Sequence, residues 1–350
     1  MKGGKLIGEG SSTCVFKPNL PCKNKKIDIS NEKVSKLFLK KPDNFKKELD
    51  FNRKISSLPK FREWAVVLDD ACEAPDYETL KKIEPDIDKC LKNNDMSTLK
   101  NFDMYYGSYG GVSMDTAFMT HMIDFKTIDE ICDGYISFFK QCESLFFGLN
   151  TMYKHGIMHY DIKGGNITYV DNKYKYIDFG ISTTFKNKKE ITKRALQEFN
   201  TGRIYIYYPY DILYLYASKS KLYLESYNVH RKNYDDIKDI NGIVFDRDFD
   251  IEWKNIIDLA LEKKLNEKSC IEKLDTYSLG ITLTKLLYDF ILHKFDYLND
   301  DELLSFIIDV FDSTKLIKIK KLLRDMTEPL STNRILPDKA YKHLIHIYNK

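Results

Sequence analysis

The tightest constraint on this chain is the run His159-Tyr160-Asp161-Ile162-Lys163-Gly164-Gly165-Asn166, followed by Asp178-Phe179-Gly180. Asp161 and Asn166 stand five positions apart, and Asp161 and Asp178 seventeen. Between them lie short strand-like stretches, Ile167-Thr168-Tyr169-Val170 and Tyr176-Ile177, with Asp171-Asn172-Lys173 as the turn. Taken singly, H-x-D and D-F-G arise by chance. In this order, flanking a strand-turn-strand, they tie two carboxylates, an ammonium and an amide to loops at the ends of a ribbon.

The rest of the chain gives that ribbon a setting. Its 350 residues suffice for about two units or one large enzyme module. Short apolar runs open the chain: Leu6-Ile7, Val15-Phe16 and then 33–39 are strand-like, and a helical pattern begins at Asp43 behind Pro42. Phe102 to Met122 alternates and carries Gly107, Gly110 and Gly111, which suits a β-hairpin. From Ile128 to His155 the apolar spacing is helical, and most of the chain beyond the ribbon is helical in pattern too. An α+β architecture results, a small β-rich part (1–122) before a larger helical part (123–350), crossing near 119–127.

Composition removes several alternatives. Lys+Arg 55 against Asp+Glu 52 leaves +3, too little for a chain that binds nucleic acid through bulk charge, so no nucleic acid partner is expected. Seven dispersed cysteines with no C-x-x-C pair favour reduced thiols and a cytoplasmic setting. The histidines show no metal-ligand spacing. Lys2-Gly3-Gly4-Lys5 follows Met1, so neither a secretory leader nor N-myristoylation is expected. Leu279 to Phe295 is interrupted by Lys285 and Asp289 and reads as a core helix, so no membrane contact is expected.

The paired motifs resemble the catalytic loop and metal-binding turn of eukaryotic-type protein kinases. Phosphoryl transfer asks a protein mainly for positioning and charge neutralisation. The resemblance implies a bilobal protein-kinase-like fold, ATP and Mg²⁺ as cofactors, and protein substrates. It implies Asp161 as catalytic base, Lys163 as phosphate contact, and Asn166 and Asp178 as metal ligands. Ile7-Gly8-Glu9-Gly10-Ser11-Ser12-Thr13-Cys14-Val15 is similar to the family's Gly-rich loop over the ATP phosphates, with Thr13 in place of the third glycine. Val34-Ser35-Lys36 stands for the family's V-A-I-K ending, and alternation puts Val34 and Lys36 on one strand face. Lys36 is then the α/β-phosphate lysine and Glu48 its partner; Lys33, Lys40 and Lys41 are the competing choices.

Three later features resemble a protein kinase rather than a small-molecule or lipid kinase. Asp275-Thr276-Tyr277-Ser278-Leu279-Gly280 is similar to the start of the family's central helix, whose Asp buttresses the catalytic loop. Pro209-Tyr210-Asp211 resembles the end of the activation segment, and Ser331-Thr332-Asn333-Arg334 the late arginine site. An Asp211–Arg334 ion pair is expected, the alternative being an exposed Arg334. Lys163 is the Ser/Thr-type choice in this family. The strings Val15-Phe16-Lys17-Pro18, Cys22 and Val34-Ser35-Lys36-Leu37 resemble the divergent Ser/Thr kinases of large cytoplasmic DNA viruses, which would place the chain in host cytoplasm.

The departures also inform. Tyr160 replaces the arginine that in the family receives activation-loop phosphate, so activity independent of phosphorylation at Thr201 or its neighbours is expected. Asp211 to Asp275 spans 64 positions, more than the family needs. The insertion, about 217–270, holds Tyr223, Tyr227 and His230-Arg231-Lys232, and reads as a docking element or a solvated elaboration. Lys186 to Arg194 reads as a solvated basic loop. Met119 and Thr120 fall where the family's lobe connector begins. An active Ser/Thr protein kinase is weighed against a small-molecule or lipid kinase and a pseudokinase scaffold; the joint presence of Lys36, Asp161, Asn166 and Asp178 disfavours the scaffold.

Overall fold

The computed structural model describes residues 4–9, 13–38, 42–68, 70–85, 87–90, 103–201, 205–216 and 238–348. The chain divides into two compact units. Unit 1 runs to Gly111 and takes in Ile177–Gly180; unit 2 comprises Val112–Tyr176 and the chain from Ile181 onward. The division falls ahead of the expected 122/123 boundary.

Unit 1 is built on β1 (Lys5–Glu9), β2 (Thr13–Lys17), β3 (Lys33–Phe38), β4 (Asp70–Glu73) and β5 (Asp103–Ser108). They form an antiparallel sheet in the order β1-β2-β3-β5-β4. Its helices are α1 (Pro42–Ser56), α2 (Phe61–Trp64), α3 (Tyr77–Ile83) and α4 (Ile87–Cys90). Cys14, Phe16, Leu37, Met104 and Leu80 make the core. Helix α1 docks through Phe45, whose ring stacks on Tyr105 at 4.4 Å and meets Phe38 edge-on at 5.3 Å. Such contacts add about 0.5–1.5 kcal/mol each beyond area burial. The Tyr105 hydroxyl also donates to the Phe45 carbonyl, fixing the first turn of α1 on the sheet.

The reduced-thiol expectation is corrected here. Cys22 and Cys72 form a disulfide across 50 residues, and Cys14 is disulfide-bonded as well. The Lys23 amide donates to the Glu73 carbonyl at 2.8 Å, which lays the two segments side by side. Local cysteine spacing carries no trace of that pairing, so the thiol argument for a reducing compartment lapses. Cys132, Cys142 and Cys270 are free and buried.

Unit 2 opens with β6 (Val112–Ser113) and α5 (Met114–Met122). The expected 102–122 hairpin is therefore absent: β5 pairs with β3 and β4, and β6 with β8 (Ile167–Val170). Met114, Phe118 and Met122, all buried, recur every four residues, and the Ser113 hydroxyl caps the helix at the Thr116 amide. Met119 and Thr120 lie inside α5, where backbone amides are engaged in the helix, so they are not a connector. Helices α6 (Ile128–Gln141) and α7 (Glu143–Lys154) come next as expected, with a reciprocal Thr127/Glu130 capping box starting α6.

Then come β7 (Ile157–Met158), the β8–β9 ribbon with β9 at Lys173–Tyr176, β10 (Thr183–Thr184), α8 (Lys188–Thr201) and α9 (Tyr210–Tyr214). The basic stretch is mostly helix α8, not a loop. It buries Ile191, Ala195 and Phe199, a four-residue spacing, against the unit 2 core. Of the insertion, residues 217–237, with Tyr223, Tyr227 and His230-Arg231-Lys232, lie outside the described residues, as do Lys40 and Lys41. Its later part is packed rather than solvated. Helix α10 (Phe249–Leu261) sets Trp253 against Tyr210 at 4.8 Å, and α11 (Glu267–Glu272) comes after it.

Helix α12 (Leu274–Lys294) is the expected core helix, and α13 (Asp300–Phe311), α14 (Ile317–Met326) and α15 (Pro337–Tyr348) complete the unit. Among the described residues no helix is long and apolar enough to cross a membrane.

Candidate active site

The loop that carries His159 to Asn166 in unit 2 is held by α12. Asp275 accepts from the backbone amides of His159 at 2.6 Å and Tyr160 at 3.0 Å. This carboxyl is buried, and burial pushes its pKa up against the two amide bonds that stabilise its charge. The Ser182 hydroxyl donates to the His159 carbonyl at 3.1 Å, and the Tyr208 hydroxyl to the Tyr160 carbonyl at 2.9 Å. Tyr160 itself has φ 67, a left-handed conformation that costs a non-glycine residue roughly 1–2 kcal/mol. These surrounding bonds hold it there.

Asp161 is the hub that this scaffold presents. Its Oδ2 accepts from Asn166 Nδ2 at 2.7 Å and lies 3.2 Å from Lys163 Nζ. Asn166 Nδ2 also donates to the Asp161 carbonyl at 2.9 Å. Both bonds use the amide nitrogen, so neither spends the amide oxygen. Tyr205, which the sequence did not single out, donates its hydroxyl to Asp161 Oδ1 at 2.9 Å. A Cβ on Gly164 would lie 1.8 Å from Asp115 Oδ1, so a larger residue there must displace that carboxylate.

Unit 1 carries a second charged cluster. Lys36 Nζ donates to Glu48 Oε1 and Asp178 Oδ1, both at 2.8 Å. β3 supplies the lysine between Val15 and Tyr105 of the neighbouring strands, α1 supplies Glu48, and the return segment Ile177–Gly180 supplies Asp178. Of the competing lysines, Lys33 pairs instead with Asp28 at 3.7 Å. Burial pulls the Lys36 ammonium down, but the two carboxylates more than offset it and leave its pKa at about 12. Burial pushes the Glu48 carboxyl up; the Lys36 ammonium opposes, and the Asp178 charge adds to the rise. Asp178 has φ 61, and a Cβ on Gly180 would come within 2.9 Å of Glu48 Oε2, so a larger residue at the third motif position must displace that carboxylate.

The Gly-rich strings fall on β1 and β2. Ile7, Gly8 and Glu9 lie on β1 and Thr13, Cys14 and Val15 on β2, while Gly10, Ser11 and Ser12 lie outside the described residues. Gly8 pairs with Val15. The Cys14 side chain is buried in the unit 1 core and disulfide-bonded, so it offers a ligand only its backbone.

Asp211 and Arg334 form the expected ion pair, Nη2 to Oδ1 at 3.3 Å, with both side chains fully buried. Asp211 Oδ2 also accepts from the Ser331 amide at 2.6 Å. At the Tyr160 position, where the family has arginine, Arg194 of α8 lays its guanidinium 4.9 Å over the Tyr160 ring.

Among the described residues no group of three or more His, Cys, Asp or Glu is gathered for a metal. Mg²⁺ asks for less: one or two protein oxygens, with substrate phosphates and water supplying the rest. The amide oxygen of Asn166 and the carboxylate of Asp178, each taken by itself, are hard oxygen donors of the kind Mg²⁺ takes.

The family model for the protein kinase domain matches residues 126–206, from just before α6 through both motifs to the residue after Tyr205. This match supports a protein kinase, a phosphotransferase. No curated protein matches the chain.

Proposed function

We propose that the chain is an ATP-dependent serine/threonine protein kinase whose domain extends well beyond the matched stretch. The observation that carries the reading is the hub at Asp161: a carboxylate buttressed through Asp275 and bonded to Asn166 and Lys163. Support from outside residues 126–206 comes from Lys36 and Glu48, which cluster with Asp178 of the matched stretch, and from the Asp211–Arg334 pair.

In this reading Asp161 orients the acceptor hydroxyl and takes its proton. Lys163 neutralises charge on the moving phosphoryl group. Lys36, kept an ammonium by its neighbours, holds the α/β-phosphates, and Glu48 keeps it in place. Ile7 to Val15 cover the phosphates. Asn166 and Asp178 would hold Mg²⁺, which neutralises phosphate charge when bound. Lys163 is also what supports Ser/Thr over tyrosine acceptors, and the N-terminal strings support kinship with kinases of large cytoplasmic DNA viruses. With Tyr160 in place of the phosphate-binding arginine, the unphosphorylated chain is active.

The test is transfer from labelled ATP with Mg²⁺ to mixed protein substrates by phosphatase-treated protein, beside Asp161→Asn. Phosphoserine and phosphothreonine on substrate, lost in the variant, are expected. Label on a small metabolite but never on protein, or equal rates in the variant, would end the reading.

A further inference from the structure

Tyr205 meets Asp161 through the carboxylate oxygen opposite the one facing Asn166 and Lys163. A hydroxyl one hydrogen bond from a carboxylate is the arrangement of a nucleophile and its base. In the kinase reading, that is the relation an external acceptor hydroxyl must adopt to Asp161.

The contact is anchored on both sides. The Tyr208 amide donates to the Tyr205 carbonyl at 2.8 Å, closing a turn, and the Tyr208 hydroxyl is spent on the Tyr160 carbonyl. One residue before, the Tyr207 carbonyl accepts from Ser278 Oγ of α12 at 2.7 Å. The segment is thus tied to the loop that carries Asp161 and to the helix that buttresses that loop. Tyr205 also packs edge-on against Tyr208 at 5.1 Å, and Lys163 Nζ stands 5.5 Å from its ring centre. Lys163 and the Tyr205 hydroxyl thus contact the two oxygens of one carboxylate, which sets a cation beside the group that would take the phenol proton.

We propose that Tyr205 is an internal phosphoacceptor: the chain transfers the γ-phosphate of ATP to its own Tyr205 hydroxyl. This rests on the kinase reading of Asp161. The phenol oxygen forms the new bond to the γ-phosphorus, the bond from that phosphorus to the β,γ-bridging oxygen breaks, and ADP leaves with the electron pair. The phenol proton passes to Asp161 Oδ1. A tethered acceptor needs no affinity of its own, because the fold has already met the entropic cost of bringing it to the base. A tyrosine can then be modified in cis by an enzyme that selects serine and threonine in trans.

The experiment uses phosphatase-treated full-length protein, Mg²⁺ and ATP, with dephosphorylated casein as a parallel external acceptor. Fragmentation mass spectrometry distinguishes Tyr205 from Tyr207, Tyr208 and Tyr210. Phosphate is expected on Tyr205, with a first-order rate constant unchanged over about 100-fold dilution. Tyr205→Phe should lose that phosphate without its moving to Tyr207 or Tyr208. Casein labelled while Tyr205 stays bare overturns the inference and leaves the kinase reading standing. A rate that grows with protein concentration overturns the intramolecular step. No label on casein or on the chain brings down both.

Discussion

The two charged clusters use the same kinds of group with the roles inverted. In unit 1 a cation stands at the centre, Lys36, shared by the carboxylates of Glu48 and Asp178. In unit 2 an anion stands at the centre, Asp161, shared by an amide, an ammonium and a phenol. Burial distinguishes the centre of the first: the Lys36 and Glu48 side chains are 10% and 5% exposed, while Asp161 is 19%, Lys163 35% and Asp178 41% exposed. A buried cation that pairs a buried carboxylate with a second, half-exposed one is a structural requirement, since its loss leaves the Glu48 charge buried and facing that of Asp178. A carboxylate whose partners are an amide, a phenol and a half-exposed ammonium tolerates replacement by its amide, so its value lies in the chemistry it performs.

The largest expected effect comes from the second cluster. Asp161→Asn keeps the size of the side chain and should lower phosphoryl transfer by about 10²–10⁴-fold, the usual worth of a positioned base. Folding stability should move by under about 1 kcal/mol, because Lys163 and Tyr205 are left partly solvated. Transfer assays and denaturant melts on one preparation measure both. A variant that unfolds instead of losing rate would erase the distinction between the clusters.

Lys36→Met tests the other side. It leaves Glu48 and Asp178 without their shared cation, and a cost of about 3 kcal/mol in unfolding free energy is expected. Glu48→Gln in the same background should recover part of it by removing one of the two facing charges. A Lys36→Met protein as stable as the parent would mean that solvent already satisfies both carboxylates. Gly180→Ala sharpens the same point on a smaller scale. The added methyl meets Glu48 Oε2 at 2.9 Å, and moving a pinned carboxylate should cost about 1–2 kcal/mol in the same melts.

Much of this fold is legible in the residues alone. Strands β1 to β3, helices α1, α6 and α7, and the β8–β9 ribbon emerge from apolar periodicity, because each buries one face. The Lys36–Glu48 and Asp211–Arg334 contacts emerge from motif position, across 12 and 123 residues. What stayed hidden was hidden for physical reasons. Glycines and tyrosines before α5 imitate a hairpin, although Met114, Phe118 and Met122 carry the helix period. Lysines in α8 mask Ile191, Ala195 and Phe199 in the same way. The Cys22–Cys72 bond and the Tyr205–Asp161 contact join residues 50 and 44 positions apart, and no local pattern encodes which side chains a tertiary fold will bring together.

A third cluster repeats the geometry of the first without its motif residues. Arg247 in unit 2 lies 2.5 Å from Glu328 and 3.7 Å from Glu252, and spends further donors on the Thr327 and Arg324 carbonyls. As with Glu48, a buried carboxylate beside a shared cation is pushed up. Burial raises Glu252 to about 7, with Arg247 opposing and the Glu328 charge adding to the rise. A folded-state pKa above the unfolded one means that the native chain binds the extra proton. The stability from this group is therefore fully present below about 4.5 and is lost as pH rises through about 7. After allowance for its part-exposed carboxyl, the loss should be about 1–2 kcal/mol. Melts of the wild type and Glu252→Gln between these limits measure it: the wild type should fall relative to the variant as pH rises, and parallel curves would show that Arg247 offsets the burial of Glu252 in full.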